Sequence, residues 1–153
     1  QLSGRLATGQ DVEVEGPYGR FVLGRAKKHK RQIWIAGGIG VTPFLAWLES
    51  LQDKPEVAPE AEFHYSTRDR GTDPFVPRLE ALCANLPGIR LHVHGDRQGE
   101  SMAGDRILQG DAARRGTEVW FCGPQGLAEK LKAELRQSAP GDLRFHQEAF
   151  EMR

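Results

Sequence analysis

Cysteine is scarce in this chain: Cys83 and Cys122 are its only two, they stand far apart, and neither belongs to a CxxC pair. That argues against a disulfide framework or a zinc site and makes a reducing, cytoplasmic setting the expectation. An excess of charge is missing too. With 21 basic and 21 acidic residues the formal net charge is zero, so no global positive field steers the protein to nucleic acid. The basic run Arg25 to Arg31 (RAKKHKR) has no aromatic residues among its charges and reads as a solvated connector. The uncharged stretch Ile33 to Leu48 is 16 residues long and holds three glycines and a proline, too short and too broken to cross a bilayer. No internal repeat or low-complexity segment is present. The chain opens QLSGRLATGQ, with no initiator methionine and no basic-then-apolar leader, and is expected to be cut from something longer. At 153 residues it has room for one core-bearing domain and not for a second full one.

What is present is an alternation of strand-like and helix-like segments. DVEVEG near the start reads as a strand that runs into the turn Gly16-Pro17-Tyr18-Gly19. Gln32 to Ala36 is the first buried strand. Thr42 is expected as an N-cap with Pro43 at the first helical position, and Phe44, Leu48 and Leu51 recur at helical spacing up to about Asp53. Glu62 to Ser66, Ile89 to His94, Glu118 to Cys122 and Leu143 to Glu148 read as further strands. Pro77 to Leu86 and Gln125 to Gln137 read as helices, with a short helical turn around Asp105 to Leu108. Such alternation predicts an α/β fold, a three-layer α/β/α arrangement on a five-stranded parallel sheet. Ligands of such sheets sit at the carboxyl ends of strands near the switch in strand order. Three loops leave those ends here: GGIGVTP, STRDR and CGPQG.

The first of these loops, Gly37-Gly38-Ile39-Gly40-Val41-Thr42-Pro43, has the strand, glycine turn and helix that suit a phosphate group. It departs from the dinucleotide fingerprint by ending in Thr-Pro. GGIGVTPF resembles the nucleotide-binding turn of the ferredoxin–NADP reductase superfamily, and three other segments fall where that superfamily places them. Cys122-Gly123-Pro124 follows the fourth strand, Gly16-Pro17-Tyr18-Gly19 precedes the nucleotide domain, and Glu148-Ala149-Phe150 resembles the family's acidic-plus-aromatic ending. Within the superfamily the GIGVTPF wording is most similar to the ferric reductase and NADPH oxidase branch and its bacterial relatives.

The resemblance implies a ferredoxin reductase-like nucleotide-binding domain over residues 25–153, with residues 1–24 the last part of a flavin-binding barrel. It implies hydride transfer from NADPH or NADH to FAD held by that barrel, then on to a haem or ferric acceptor. Other acceptors, such as an iron–sulfur protein or a hydroxylase partner, stay open, as does a non-catalytic nucleotide-binding module. By the same resemblance Gly37, Gly38 and Gly40 would let the pyrophosphate approach the backbone, and Thr42 and Pro43 would border it. Cys122 would lie beside the reacting carbon of the nicotinamide, with Gly123 and Pro124 shaping the pocket. Glu148 and Phe150 would lie against the flavin. Ser66 and Arg68 match the family's Ser-x-Arg pattern for a 2′-phosphate, which favours NADPH, while Asp69 beside them argues the other way. The family's flavin-binding motifs lie upstream of the Gly-Pro-aromatic-Gly turn and are not in this chain. Alone it is therefore expected to hold little flavin, and the partner is the flavin-binding domain of the same polypeptide, with a haem-bearing membrane region further upstream in the ferric reductase branch. His92 and His94, two apart on a strand, face one side, but a metal needs more ligands than two, so no metal is expected. His64 and His146 read as polar strand residues, and Trp34, Trp47 and Trp120 as core.

Overall fold

The computed structural model describes residues 21, 31–108, 116–138 and 143–149. Five strands, β1 (Arg31–Gly37), β2 (Ala61–Thr67), β3 (Ile89–Gly95), β4 (Thr117–Gly123) and β5 (Leu143–Ala149), form one sheet in the order β3-β2-β1-β4-β5. Every neighbouring pair is parallel. The helices are α1 (Thr42–Leu51), α2 (Phe75–Ala84), the short α3 (Gly104–Ile107) and α4 (Gln125–Ser138). The three-layer arrangement expected from the alternation is therefore observed.

Burial explains why the middles of β1 and β4 are apolar. Strands covered on both faces must be apolar on both, and β1 and β4, read as IWIA and VWFC, are buried throughout these stretches. Their side chains alternate between two cores. Trp34, Ala36, Trp120 and Cys122 pack with Phe44, Leu48, Phe63 and Leu79 on the α1 and α2 side. Ile33, Ile35, Val119 and Phe121 pack with Ile107, Leu131 and Leu135 on the α3 and α4 side. The outer strand β3 instead alternates apolar and polar positions, and His92 and His94 do share a face with His64. The three imidazoles stack, and His64 Nδ1 and His94 Nε2 lie 3.0 Å apart in a hydrogen bond. Among the described residues no group of histidine, cysteine or acidic side chains is arranged to hold a metal ion. No described helix is long and apolar enough to cross a membrane.

Phe21 stacks on Trp47 at 4.7 Å and meets Phe44 and Trp120 edge-on, so this early residue closes the aromatic side of the first core. All three tryptophans are buried, as expected.

Two helix starts differ from the sequence reading. Thr42 is not the cap of α1: Val41 holds that position, and the Thr42 hydroxyl donates to the Ile39 carbonyl at 3.1 Å. The cause is a 3-10 turn, Gly38–Val41, which leads straight into the helix and leaves no extended residue to act as a cap. Pro43 accordingly sits one residue further in, still within the first turn where its missing N–H costs nothing. The second helix begins at Phe75, two residues before Pro77, because Asp73 Oδ1 accepts the Phe75 N–H at 2.8 Å.

Candidate nucleotide-binding site

The order of strands puts the switch between β1 and β4, so the loops GGIGVTP and CGPQG leave the sheet side by side. Glycine makes their contact possible. Gly123 packs against Gly37, and a Cβ on Gly123 would lie 3.0 Å from the Gly37 nitrogen. A Cβ on Gly37 would lie 2.9 Å from Pro124 Cδ. At Gly40 a Cβ would strike the Cys122 carbonyl and come within 2.8 Å of the Gly123 nitrogen, so Gly40 is glycine because the turn is pressed onto the end of β4. The expectation that Gly40 serves ligand approach thus meets a nearer cause in packing. Gly38 is different: its φ is +53°, it is exposed, and nothing lies within 4 Å of where its Cβ would be. Ile39 beside it is the most exposed large apolar side chain of the described residues, at 62%. The 3-10 turn has no side-chain cap, which leaves its first amides for solvent or a ligand, whereas the first amide of α1, the Thr42 N–H, already donates to the Ile39 carbonyl.

Cys122 lies at the end of β4, in register with Ala36 on one side and Glu148 of β5 on the other. It is completely buried. Burial first, and then the Glu148 carboxylate, push its thiol up to about 12. The group is therefore a neutral thiol at physiological pH, without the thiolate that nucleophilic chemistry needs. Pro124 is exposed at the mouth of the next turn and its carbonyl accepts the Ala128 N–H at 3.1 Å, so it starts α4 as well as bordering the switch.

The third loop follows β2. Ser66 is half-buried and in register with Gly37, which sets it next to the glycine turn. Arg68 is exposed, and its side chain has no hydrogen-bond or ion-pair partner among the described residues. Its backbone is held, because the Arg68 carbonyl accepts the Arg97 N–H at 2.9 Å. Asp69, the residue that argued against a phosphate, is engaged elsewhere. Oδ1 accepts from Gln98 Nε2 and from the Gly71 N–H, each at 3.0 Å, and Oδ2 from Arg97 Nη1 at 3.3 Å. Gln98 first, then Gly71 and Arg97, hold its carboxyl below the usual carboxylate range. On the inner side of the same loop Asp73 Oδ2 accepts from the Tyr65 hydroxyl at 2.8 Å and from the Thr67 hydroxyl.

The structure thus brings Gly37, Gly38, Gly40, Thr42, Pro43, Ser66, Cys122, Gly123 and Pro124 to one end of the sheet, with Arg68 at the rim and Glu148 one strand out. Phe150 and the Gly16–Gly19 turn lie outside the described residues. Sequence reasoning missed Asp73 and Gln98. An Asp two residues before a helical Phe was a readable start signal, whereas nothing in the sequence marks Gln98. A separate groove of about 740 Å³, lined by Arg70, Val76, Glu80, Cys83, Leu91 and Val93, runs between α2 and the edge strand β3, away from the glycine turn.

Two curated relatives are alike over almost the whole chain. One is the reductase subunit assigned to a toluene-4-sulfonate monooxygenase system of Comamonas testosteroni, 32% identical over 142 residues, covering 92% of this chain and 41% of the relative. The other is the carnitine monooxygenase reductase subunit of Escherichia coli, 29% identical, covering 98% and 44%. Both relatives are reductase subunits, which supports the likeness of this chain to the ferredoxin–NADP reductase superfamily. The fold agrees: the cytochrome b5 reductase domain of Ulva prolifera nitrate reductase superposes with a TM-score of 0.75 at 23% identity, over 96% of this chain and 62% of that one. No family model matches the chain. The chain spans less than half the length of these two curated relatives. The likeness to the ferric reductase and NADPH oxidase branch is not what these relatives single out, since both are named as monooxygenase reductase subunits.

Proposed function

We propose that this chain is the nicotinamide-nucleotide-binding domain of a flavin-dependent reductase, that its parent polypeptide carries the flavin-binding domain, and that the electrons go to an oxygenase component. The observation that carries the reading is the convergence of the three loops at the switch between β1 and β4, with Gly38 at positive φ and open on the side where a Cβ would stand. Glycine there admits a phosphate to the backbone, and the uncapped first amides of the 3-10 turn match an anion's needs. The residues present therefore fit a dinucleotide. When bound, NAD(P)H supplies a hydride for the flavin, chemistry that belongs to the cofactors.

The chain's own residues bind and orient. Gly38 and the following amides hold the pyrophosphate, and Thr42 and Pro43 border it. Gly37, Gly40 and Gly123 keep the two loops in contact so that the cradle has one shape. Cys122, neutral and completely buried in the first core, backs the end of β4 on the nicotinamide side of the site, and Pro124 closes its edge. Ser66 and Arg68 take the adenosine end, where a guanidinium with no acidic partner among the described residues suits a 2′-phosphate. Glu148 and Phe150 are assigned to the flavin side. The oxygenase acceptor replaces the haem or ferric acceptor that the motif wording suggested, on the strength of the relatives' names.

The test is anaerobic mixing of NADPH or NADH with the flavin-loaded parent polypeptide. Rapid bleaching of the yellow flavin absorbance, lost in Gly38→Val while flavin content is kept, supports the reading. Bleaching that Gly38→Val leaves untouched refutes it.

A further inference from the structure

The loops after β2 and β3 carry three arginines, Arg68, Arg70 and Arg97, and their pairing is uneven. Arg70 meets Glu100 at 3.1 Å and Arg97 meets Asp69 at 3.3 Å, while Arg68 meets no acid among the described residues. Asp69 stands directly beside Arg68 in the chain, so an ion pair between them is the simplest local outcome, and it is not formed. Gln98 and Arg97 have taken the carboxylate instead. Gln98 reaches it because Gly95 has no side chain: a Cβ on Gly95 would collide with Gln98 Oε1 and lie 3.0 Å from its Cδ. The Gln98 amide is thus folded back over the end of β3, one end in the Gly95 slot and the other on Asp69.

We infer that Arg97, Gln98 and the Gly95 slot set the choice of dinucleotide by sequestering Asp69, so that Arg68 alone meets the 2′ position and the site takes the 2′-phosphorylated cofactor. This rests on the nucleotide reading above. An acidic residue at this end of β2 is suited to accept from a ribose 2′-hydroxyl and repels a 2′-phosphate. With Oδ1 accepting from Gln98 and Gly71 and Oδ2 from Arg97, Asp69 has little left to offer a hydroxyl. Asp96, exposed on the turn after β3, has no side-chain hydrogen-bond or ion-pair partner among the described residues, but it lies one strand further from the glycine turn. Arg97, Gln98 and Gly95 are positioning residues in this account, because they act through Asp69.

The test is calorimetric titration of the chain with NADP⁺ and with NAD⁺. The wild-type protein should bind NADP⁺ at least tenfold more tightly. Arg97→Gln releases one contact to Asp69, and Gly95→Ala expels the flexible end of Gln98 without straining the extended backbone there. Each should weaken NADP⁺ binding five- to tenfold and leave NAD⁺ binding no weaker than in wild type. Adding Asp69→Asn to either variant should restore NADP⁺ binding to within twofold of wild type, which a merely structural role, or a direct contact of Arg97 with the phosphate, would not allow. Failure of that rescue overturns the inference. So does a wild-type protein that binds both dinucleotides equally or prefers NAD⁺, although the nucleotide reading would then stand. A wild-type protein that binds neither refutes the nucleotide reading itself.

Discussion

Replacing Gly40 by alanine separates what the glycines of the first turn do. The added methyl would strike the Cys122 carbonyl oxygen and carbon and lie 2.8 Å from the Gly123 nitrogen, all of them backbone atoms of β4. β4 is hydrogen-bonded to β1 and β5 on its two sides and cannot yield as a side chain would. Overpacking of this kind costs about 3 kcal/mol, the upper part of the usual range. That is a large share of a domain's total stability, and for a chain of this size it lowers Tm by roughly 10 °C. Gly38→Ala is the matched control. It meets no atom within 4 Å and loses only the price of positive φ in an L-residue, about 1 kcal/mol. Urea unfolding followed by tryptophan fluorescence reads both, since Trp34 and Trp120 are buried next to the affected strands. If Gly40→Ala unfolds within about 0.5 kcal/mol of wild type, the packing reasoning is wrong.

Other outcomes follow from the same geometry. Arg68→Ala should raise the Kd for NADP⁺ about tenfold, as loss of a charge-assisted contact does, and leave NAD⁺ unchanged; equal effects on the two by calorimetry would remove Arg68 from the 2′ position. Asp73→Ala strips acceptors from Tyr65, Thr67 and the Phe75 N–H and should cost about 2 kcal/mol in urea unfolding. Burial raises the Cys83 thiol to about 11, and burial with Glu148 raises Cys122 to about 12. Between the ordinary thiol pKa and these values the unfolded chain has lost protons that the folded one keeps, so stability falls as pH rises through that window. Unfolding curves of Cys122→Ala should show a shallower alkaline loss than wild type; an identical slope would contradict the assignment.

The fold was legible in the sequence because its signals are local and strong. Buried strands such as IWIA and VWFC announce themselves by composition, and the Leu127, Leu131 and Leu135 stripe does so by period. The site was legible in its glycines and in Cys122-Gly123-Pro124. It was not legible that Gly40 answers to the far end of β4, since the atom it must avoid is the Cys122 carbonyl. Thr42 was misread for a related reason: a cap needs an extended residue, and the 3-10 turn imposed by the preceding glycines removes it. Asp69 shows the limit most clearly. Beside Arg68 in the chain it looks like a rival for the ribose, and only the approach of β3, which brings Arg97 and Gln98 to it, shows that its oxygens are taken.

The most direct test of the central claim is where a nicotinamide dinucleotide binds. In amide NMR spectra of the ¹⁵N-labelled chain, titration with NADP⁺ should move the signals of Gly38 to Val41, Ser66 to Arg68 and Cys122 to Gly123 together, with one common Kd. Shifts confined to Val76, Cys83, Leu91 and Val93 in the α2 groove, or no shifts at all, would contradict it.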